Sequence, residues 1–288
     1  MKKTAIKQRS QMGMIWNRLI KNKLAVVGLF ILIVMIASSI LISIFVDYNS
    51  IIRHDFKNKL SGVSWRHPFG ADAFGRDLLF RLIYGTRISL SIGLLSVLGA
   101  MVIGGAIGAV SGFYGRKIDI VTMRFMDMLM AIPSILLAIC IVSALGSGFV
   151  NLLLAIMVSM VPQFALIVRS SVLMIKSNEF IEAARAGGTS TGRIILRHIL
   201  PNAMGPIIVQ ATLALGGVIL TAASLSFIGL GVMPPEPEWG AILTEGQEYM
   251  RDYPYLVIFP GLTIMLAVLA CNFLGDGLRD ALDPKLKQ

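Results

Sequence analysis

The side chains able to do chemistry are few and scattered. His54, His67 and His198 fall in three separate loop regions, outside any H-E-x-x-H pair, and read more simply as solvated or interfacial groups than as a metal site. No G-x-S-x-G elbow offers a nucleophile, and no G-x-x-x-x-G-K-[ST] loop cradles phosphates, so the chain does not bind ATP in that manner. Cys140 and Cys271 lie within apolar runs without zinc or redox spacing and read as packing residues. Met123, Met126, Met128 and Met130 cover several faces of one helix, the pattern of plastic core packing rather than of paired copper ligands. Arg124 and Asp127 stand three apart and can pair on a helix face, and Asp276 sits at the edge of an apolar run. These residues predict no catalytic site, no metal site and no cofactor.

What the chain has instead is apolar length. Of 288 residues 56% are hydrophobic and only 15% charged, with a mean hydropathy of +0.77. Soluble domains carry about 25% charged residues, and uncharged stretches of about 20 residues mark membrane spans. Residues 24–46 form the first such stretch, and residues 88–112 the second. The run 128–168 is too long for one helix and is broken by Gly146-Ser147-Gly148 and Asn151, so it reads as two spans meeting at a tight turn, the first starting near Ile118. Residues 206–231 and 253–275 complete a set of six. The first run is longer than a signal-peptide core and lacks a clear cleavage site, which predicts an uncleaved anchor. The expected fold is all-α, a six-helix integral membrane protein.

Six spans place both termini on one side. That side collects seven Lys and Arg in residues 1–23, three at Arg116, Lys117 and Arg124, five from Arg169 to Arg197, and three at Arg279, Lys285 and Lys287; the other side holds eight. The asymmetry predicts cytoplasmic termini. The expected organisation is a cytoplasmic segment 1–23, a first span 24–46, an external loop 47–87, a five-helix core 88–276 with a large loop 170–205, and a cytoplasmic tail 277–288. Within 47–87, residues 76–87 carry Leu78, Leu79, Leu82 and Ile83 at helical spacing. They predict an amphipathic helix along the interface, its arginines reaching headgroups. The last outer loop, 232–252, is acidic. Gly104, Gly108 and Gly112 form a face suited to close helix contact, within the subunit or between subunits.

The spans are almost free of charge, which disfavours an ion-coupled carrier, and no clustered nucleophiles suggest a membrane-embedded enzyme. Ser89, Ser91, Asn151, Gln163 and Gln210 are polar groups that suit a permissive path. The informative segment is SNEFIEAARAGGTSTGRIILRHILPN, residues 177–202. Ser177 or Asn178 can cap a short helix whose apolar face is Phe180, Ile181, Ala183 and Ala184, and Gly187-Gly188 ends it. Thr189 or Ser190 caps a second helix bearing Ile194, Ile195, Ile199 and Leu200, stopped by Pro201. The two make a knuckle whose apolar side either docks in a partner's groove or lies on the bilayer.

This knuckle resembles the E-A-A-x-x-x-G-x₉-I-x-L-P signature of permease subunits of ATP-binding-cassette importers. Glu182, Ala183, Ala184, Gly188, Leu200 and Pro201 match, while His198 replaces the consensus isoleucine with Ile199 beside it. FGADAFGRDLLFRLIYGTRISLSIG (69–93), PPEPEWG (234–240) and FLGDGLRDALDPKLK (273–287) are similar to the dipeptide, oligopeptide and nickel permease group, the last being most like the second permease subunit of dipeptide importers. The resemblance implies a type I ABC-importer permease fold in a bacterial inner or plasma membrane, with 182–201 as the coupling helix. It implies a non-catalytic transport subunit, paired with a homologous second permease, two cytoplasmic ATPase subunits that bind ATP and Mg, and an external solute-binding protein. Peptides lead as substrate, with nickel or metal chelates and glutathione as alternatives. Glu236, Glu238 and Trp239 are the expected contacts with the binding protein or the partner permease.

Overall fold

The computed structural model describes residues 11–282, and among them every regular element is helical. Residues 1–10 of the expected leader, and Lys285 and Lys287 of the expected tail, lie outside the described residues. Five helices are long and apolar enough to cross a bilayer: α2 (Lys23–Phe45), α4 (Leu78–Tyr114), α7 (Phe149–Ile175), the run Thr191–Phe227 and α12 (Tyr255–Leu282). A sixth span results only if two shorter, bent helices count together as one. α5 (Arg116–Met130) and α6 (Ser134–Leu145) are bent by 87° where a straight span was expected. Pro133 causes the break, because its ring lacks an N–H and crowds the carbonyl one turn back.

The turn between α6 and α7 is the one the glycines predict. Gly146 and Gly148 take φ of 89° and 138°, and the Asn151 amide donates to the carbonyls of Leu145 (2.9 Å) and Gly146 (3.1 Å). At the next boundaries structure and sequence reading differ. Asp77 accepts a hydrogen bond from the Phe80 N–H, and nothing then breaks the helix until Gly115, whose φ is 64°. The expected interfacial helix is therefore the first turns of α4, a single element of 37 residues and roughly 55 Å. Nor is 277–288 simply a tail, since α12 continues to Leu282, and much of 1–23 is α1 (Gln11–Lys21), an amphipathic helix.

Close backbone approach holds the bundle together. A Cβ on Gly104 would meet the Val161 carbonyl at 2.5 Å, and one on Gly108 the Ala165 carbonyl at 2.2 Å. The glycine stripe of α4 is thus filled by α7 of the same chain, which decides between the two readings of that stripe. Gly28 of α2 abuts the Ala270 carbonyl of α12 in the same way, at 2.6 Å to a built Cβ. Around α4 and α7 an apolar core collects Ile92, Leu152, Ile156, Phe164 and Leu225. α1 folds back on the end of α12: Leu19, Ala25 and Ala281 pack together, and the Asn22 amide donates to Asp280 at 3.2 Å while its oxygen caps α2. This defines a termini face. The opposite face carries α3 (Tyr48–Ile52), the loop 53–77 and α11 (Trp239–Gln247).

Candidate coupling site

On the termini face, α8 (Glu179–Ala186) projects between α7 and the run that begins at α9 (Thr191–Ile194). Glu179 and Glu182 lie in its first turn and Arg185 in its last, which complements the helix dipole at both ends. Asn178 and Ser190 occupy the cap positions, but neither side chain makes a capping bond. The α8 terminus is a Schellman closure. The Thr189 N–H donates to the Ala184 carbonyl and the Gly188 N–H to that of Arg185, both at 3.0 Å. Of the two glycines only Gly188 is left-handed, with φ of 75°; Gly187 has −75°. Nothing lies within 4 Å of a Cβ built on Gly188, so the backbone angle, not space, demands glycine there.

The second half departs from expectation. Pro201 does not stop a helix: it stands in the first turn of α10 (Leu200–Phe227), and the chain runs unbroken from Thr191 to Phe227. The cost of a proline in that run is absorbed by one π turn, Ile195–Ile199, in which the Leu200 N–H reaches the Ile195 carbonyl. Widening the turn accommodates the donor that Pro201 lacks. The Asn202 amide donates to the neighbouring His198 carbonyl at 2.6 Å.

The apolar side of the knuckle divides: most of it packs on its own bundle, while Phe180 and Ala183 stay exposed. Ile181, Ile194 and Ile199 are buried against Ala109, Val168, Val172 and Ala203, with Ala184, Ile195 and Leu200 half-buried around them. They seat the knuckle on its own bundle. Arg185 stacks over Phe113, 5.1 Å from the ring centre, and Lys176 donates to the Gly112 carbonyl at 2.8 Å. Below them Asp119 of α5 takes a two-pronged pair from Arg169 of α7 and a bond from Ser111 of α4. Arg124 and Asp127, expected to pair, do not pair with each other among the described residues. Exposed on the knuckle are, among others, Glu179, Phe180, Glu182, Ala183, Arg185 and Gly188 on the first arm and Arg193, Leu196 and Arg197 on the second, with Pro201 exposed beyond them. The knuckle's outer surface is thus exposed, and its root is tied to α4, α5 and α7.

On the opposite face the sequence reading needs correction. Glu238 and Trp239 are buried in this chain and cannot both be surface contacts. Glu238 caps α11, accepting from the N–H groups of Gly240 and Ala241 and from the Ser89 hydroxyl. Trp239 is fully buried and donates through Nε1 to the Leu82 carbonyl at 3.0 Å. Only Glu236 of the three is exposed. Nor do Arg76 and Arg81 reach headgroups: both are buried, and each pairs with Asp72 and Glu245 at 2.6–2.7 Å. A lone arginine beside an apolar run needs such partners, and Asp72 and Arg76 meet across the tight turn that precedes α4. His67 is not solvated either. Its Nδ1 lies 2.8 Å from the Asp77 carboxylate. Burial, and next the Glu236 carboxylate, raise the Tyr48 phenol above its usual value, which keeps it a donor.

The polar groups expected along a path divide. Ser89 belongs to the α11 anchor and Asn151 to the α6–α7 turn. Gln163 is exposed on α7, and Gln210 is half-buried on α10. Met126 is buried whereas Met128 is exposed, so the methionines do not converge.

The comparisons with known proteins agree with one another. Residues 104–288 match the family of binding-protein-dependent transport system inner membrane components, and residues 10–61 match the N-terminal TM domain of oligopeptide transport permease C. The dipeptide transport system permease protein DppC of Alkalihalophilus pseudofirmus is 50% identical over 275 residues, covering 94% of this chain and 89% of that one. The glutathione transport system permease protein GsiD of Pectobacterium atrosepticum is 45% identical, over 94% and 90%. An inward-facing structure of the MetNI methionine ABC transporter superposes with a TM-score of 0.59 at 21% identity, over 72% of this chain and 98% of that one, and supports the fold. The chain belongs to the binding-protein-dependent transport system inner membrane components and is a multi-pass permease subunit of an ABC importer.

Proposed function

We propose that the subunit forms half of the translocation path for di- or oligopeptides. Its 182–201 knuckle seats in a cytoplasmic ATPase subunit, and both of its termini are cytoplasmic. The observation that carries the reading is a knuckle rooted by Ile181, Ile194 and Ile199 yet bare on the surface around Glu179, Phe180, Glu182 and Ala183. A lever fixed to the spans passes on the movement of whatever grips its free side. The complete importer then includes a homologous second permease, two ATPases holding ATP and Mg, and an external binding protein. This chain contributes no catalytic group.

Peptide as the substrate rests on the 50% identity to a dipeptide permease. Glutathione, itself a small peptide, is the second reading and rests on the 45% identity to a glutathione permease. Transport assays on the complete importer in liposomes separate the two, with a dipeptide, a longer peptide, glutathione and a nickel chelate as competing solutes. ATP-dependent uptake of dipeptide that excess glutathione does not suppress supports the first reading. Uptake of glutathione alone installs the second, and uptake of the nickel chelate alone removes both.

A further inference from the structure

A groove of about 390 Å³ runs between α2 and α4 on the half of the bundle away from the termini. The two helices are antiparallel, so their residues can be ordered by depth, and the chemistry changes with each turn of about 5.4 Å. Of the polar lining groups, Arg87 and Ser43 stand near the opposite face and Ser39 and Ser91 about one turn deeper, interleaved with Ile44, Ile40 and Leu90; below them the lining is hydrocarbon, Ile36 and Leu94. A cation, then hydroxyls, then hydrocarbon is the order met along a phospholipid, from phosphate through ester carbonyls to acyl chain. Arg87 is exposed, and it has no ion-pair partner among the described residues. Ser39 is only 3% exposed, lines the groove, and its Oγ finds no hydrogen-bond partner there. A buried hydroxyl left unpaired costs free energy that an acceptor in the groove would recover.

We propose that the α2–α4 groove is a binding site for one anionic phospholipid, with its phosphate on Arg87, an ester carbonyl on Ser39 and an acyl chain along Ile36 and Leu94. Both walls are helices long and apolar enough to cross a bilayer, and a single unpaired arginine at the mouth favours a headgroup of net negative charge. The competing occupant is a helix of the partner permease.

The test uses the assembled importer in mild detergent, with phosphatidylglycerol or phosphatidylcholine titrated and retained lipid counted by native mass spectrometry. A photoreactive phosphatidylglycerol maps the contact. One retained phosphatidylglycerol, cross-linked to peptides containing residues 36–44 or 86–94, is the expected result. Its apparent affinity should fall about tenfold in Arg87→Gln, as loss of one charge-assisted bond predicts. Ser39→Ala should weaken both lipids equally. If Arg87→Gln misassembles, Arg87→Lys replaces it and should keep the preference for phosphatidylglycerol. Equal retention of the two lipids by the natural chain, or a cross-link from Ile40→Cys to the partner permease instead of lipid, overturns the proposal.

Discussion

Gly188 shows how much one residue carries. Its φ of 75° closes α8, and the two Schellman bonds follow from that angle. A β-branched residue there costs about 1–2 kcal/mol in backbone strain. Asparagine tolerates the left-handed region and should suffer least, then alanine, then valine. We expect Gly188→Val to insert in the membrane normally yet hydrolyse ATP without proportionate uptake, with Gly188→Asn close to the natural chain. The ratio of solute moved to ATP consumed measures this, and an unchanged ratio in the valine variant would refute it. At Trp239 the effect is on stability. Truncating this fully buried indole to alanine should cost about 3–5 kcal/mol, seen as a lowered unfolding temperature in detergent. Glu236, by contrast, is exposed, and Glu236→Gln should alter stability by less than about 0.5 kcal/mol. It is therefore the residue with which to probe docking of the binding protein. Replacing all three together would confound docking with unfolding.

Among the elements, α11 is a brace. Glu238 and Trp239 pin its start to α4 through Ser89 and Leu82, and Glu245 pins its far end to Arg76 and Arg81. Arg81 is fully buried, so Arg81→Met leaves Asp72 and Glu245 with one cation for two carboxylates. We expect a loss of about 3–5 kcal/mol. The double variant Arg81→Met, Glu245→Gln keeps one carboxylate against one arginine and should recover part of that loss. Thermal unfolding of the four members of this cycle gives the coupling, and additive losses would show that the two residues do not act together. The π turn before α10 teaches a related lesson. A proline that reads as a stop in the sequence is carried within a longer helix by widening one turn, which makes the second arm of the knuckle continuous with a membrane-crossing helix.

For the whole molecule, the open question is its direction in the membrane. Lys and Arg concentrate on the termini face, and the knuckle lies there too. Cysteine placed at Glu182 should therefore react with a membrane-impermeant maleimide only after the cells are opened, and cysteine at Glu236 in intact spheroplasts. The reverse pattern would turn the protein over and end the coupling proposal. Each variant needs a background in which Cys140, which is exposed, has been replaced.

The sequence by itself determined the class. Uncharged runs of span length, their basic flanks, the two-glycine turn before α7 and the E-A-A-to-P signature are local properties of composition and spacing, and local physics is enough to read them. It misplaced or left open what depends on distant partners. Whether Arg81 is solvated or buried depends on Glu245, 164 residues away. Whether Gly108 faces a subunit or its own α7 depends on how two helices meet, and whether Ile181 meets an ATPase or its own bundle depends on where α8 lands. The tertiary structure alone decided these, because pairing and burial are settled only when segments far apart in the chain compete for the same contact.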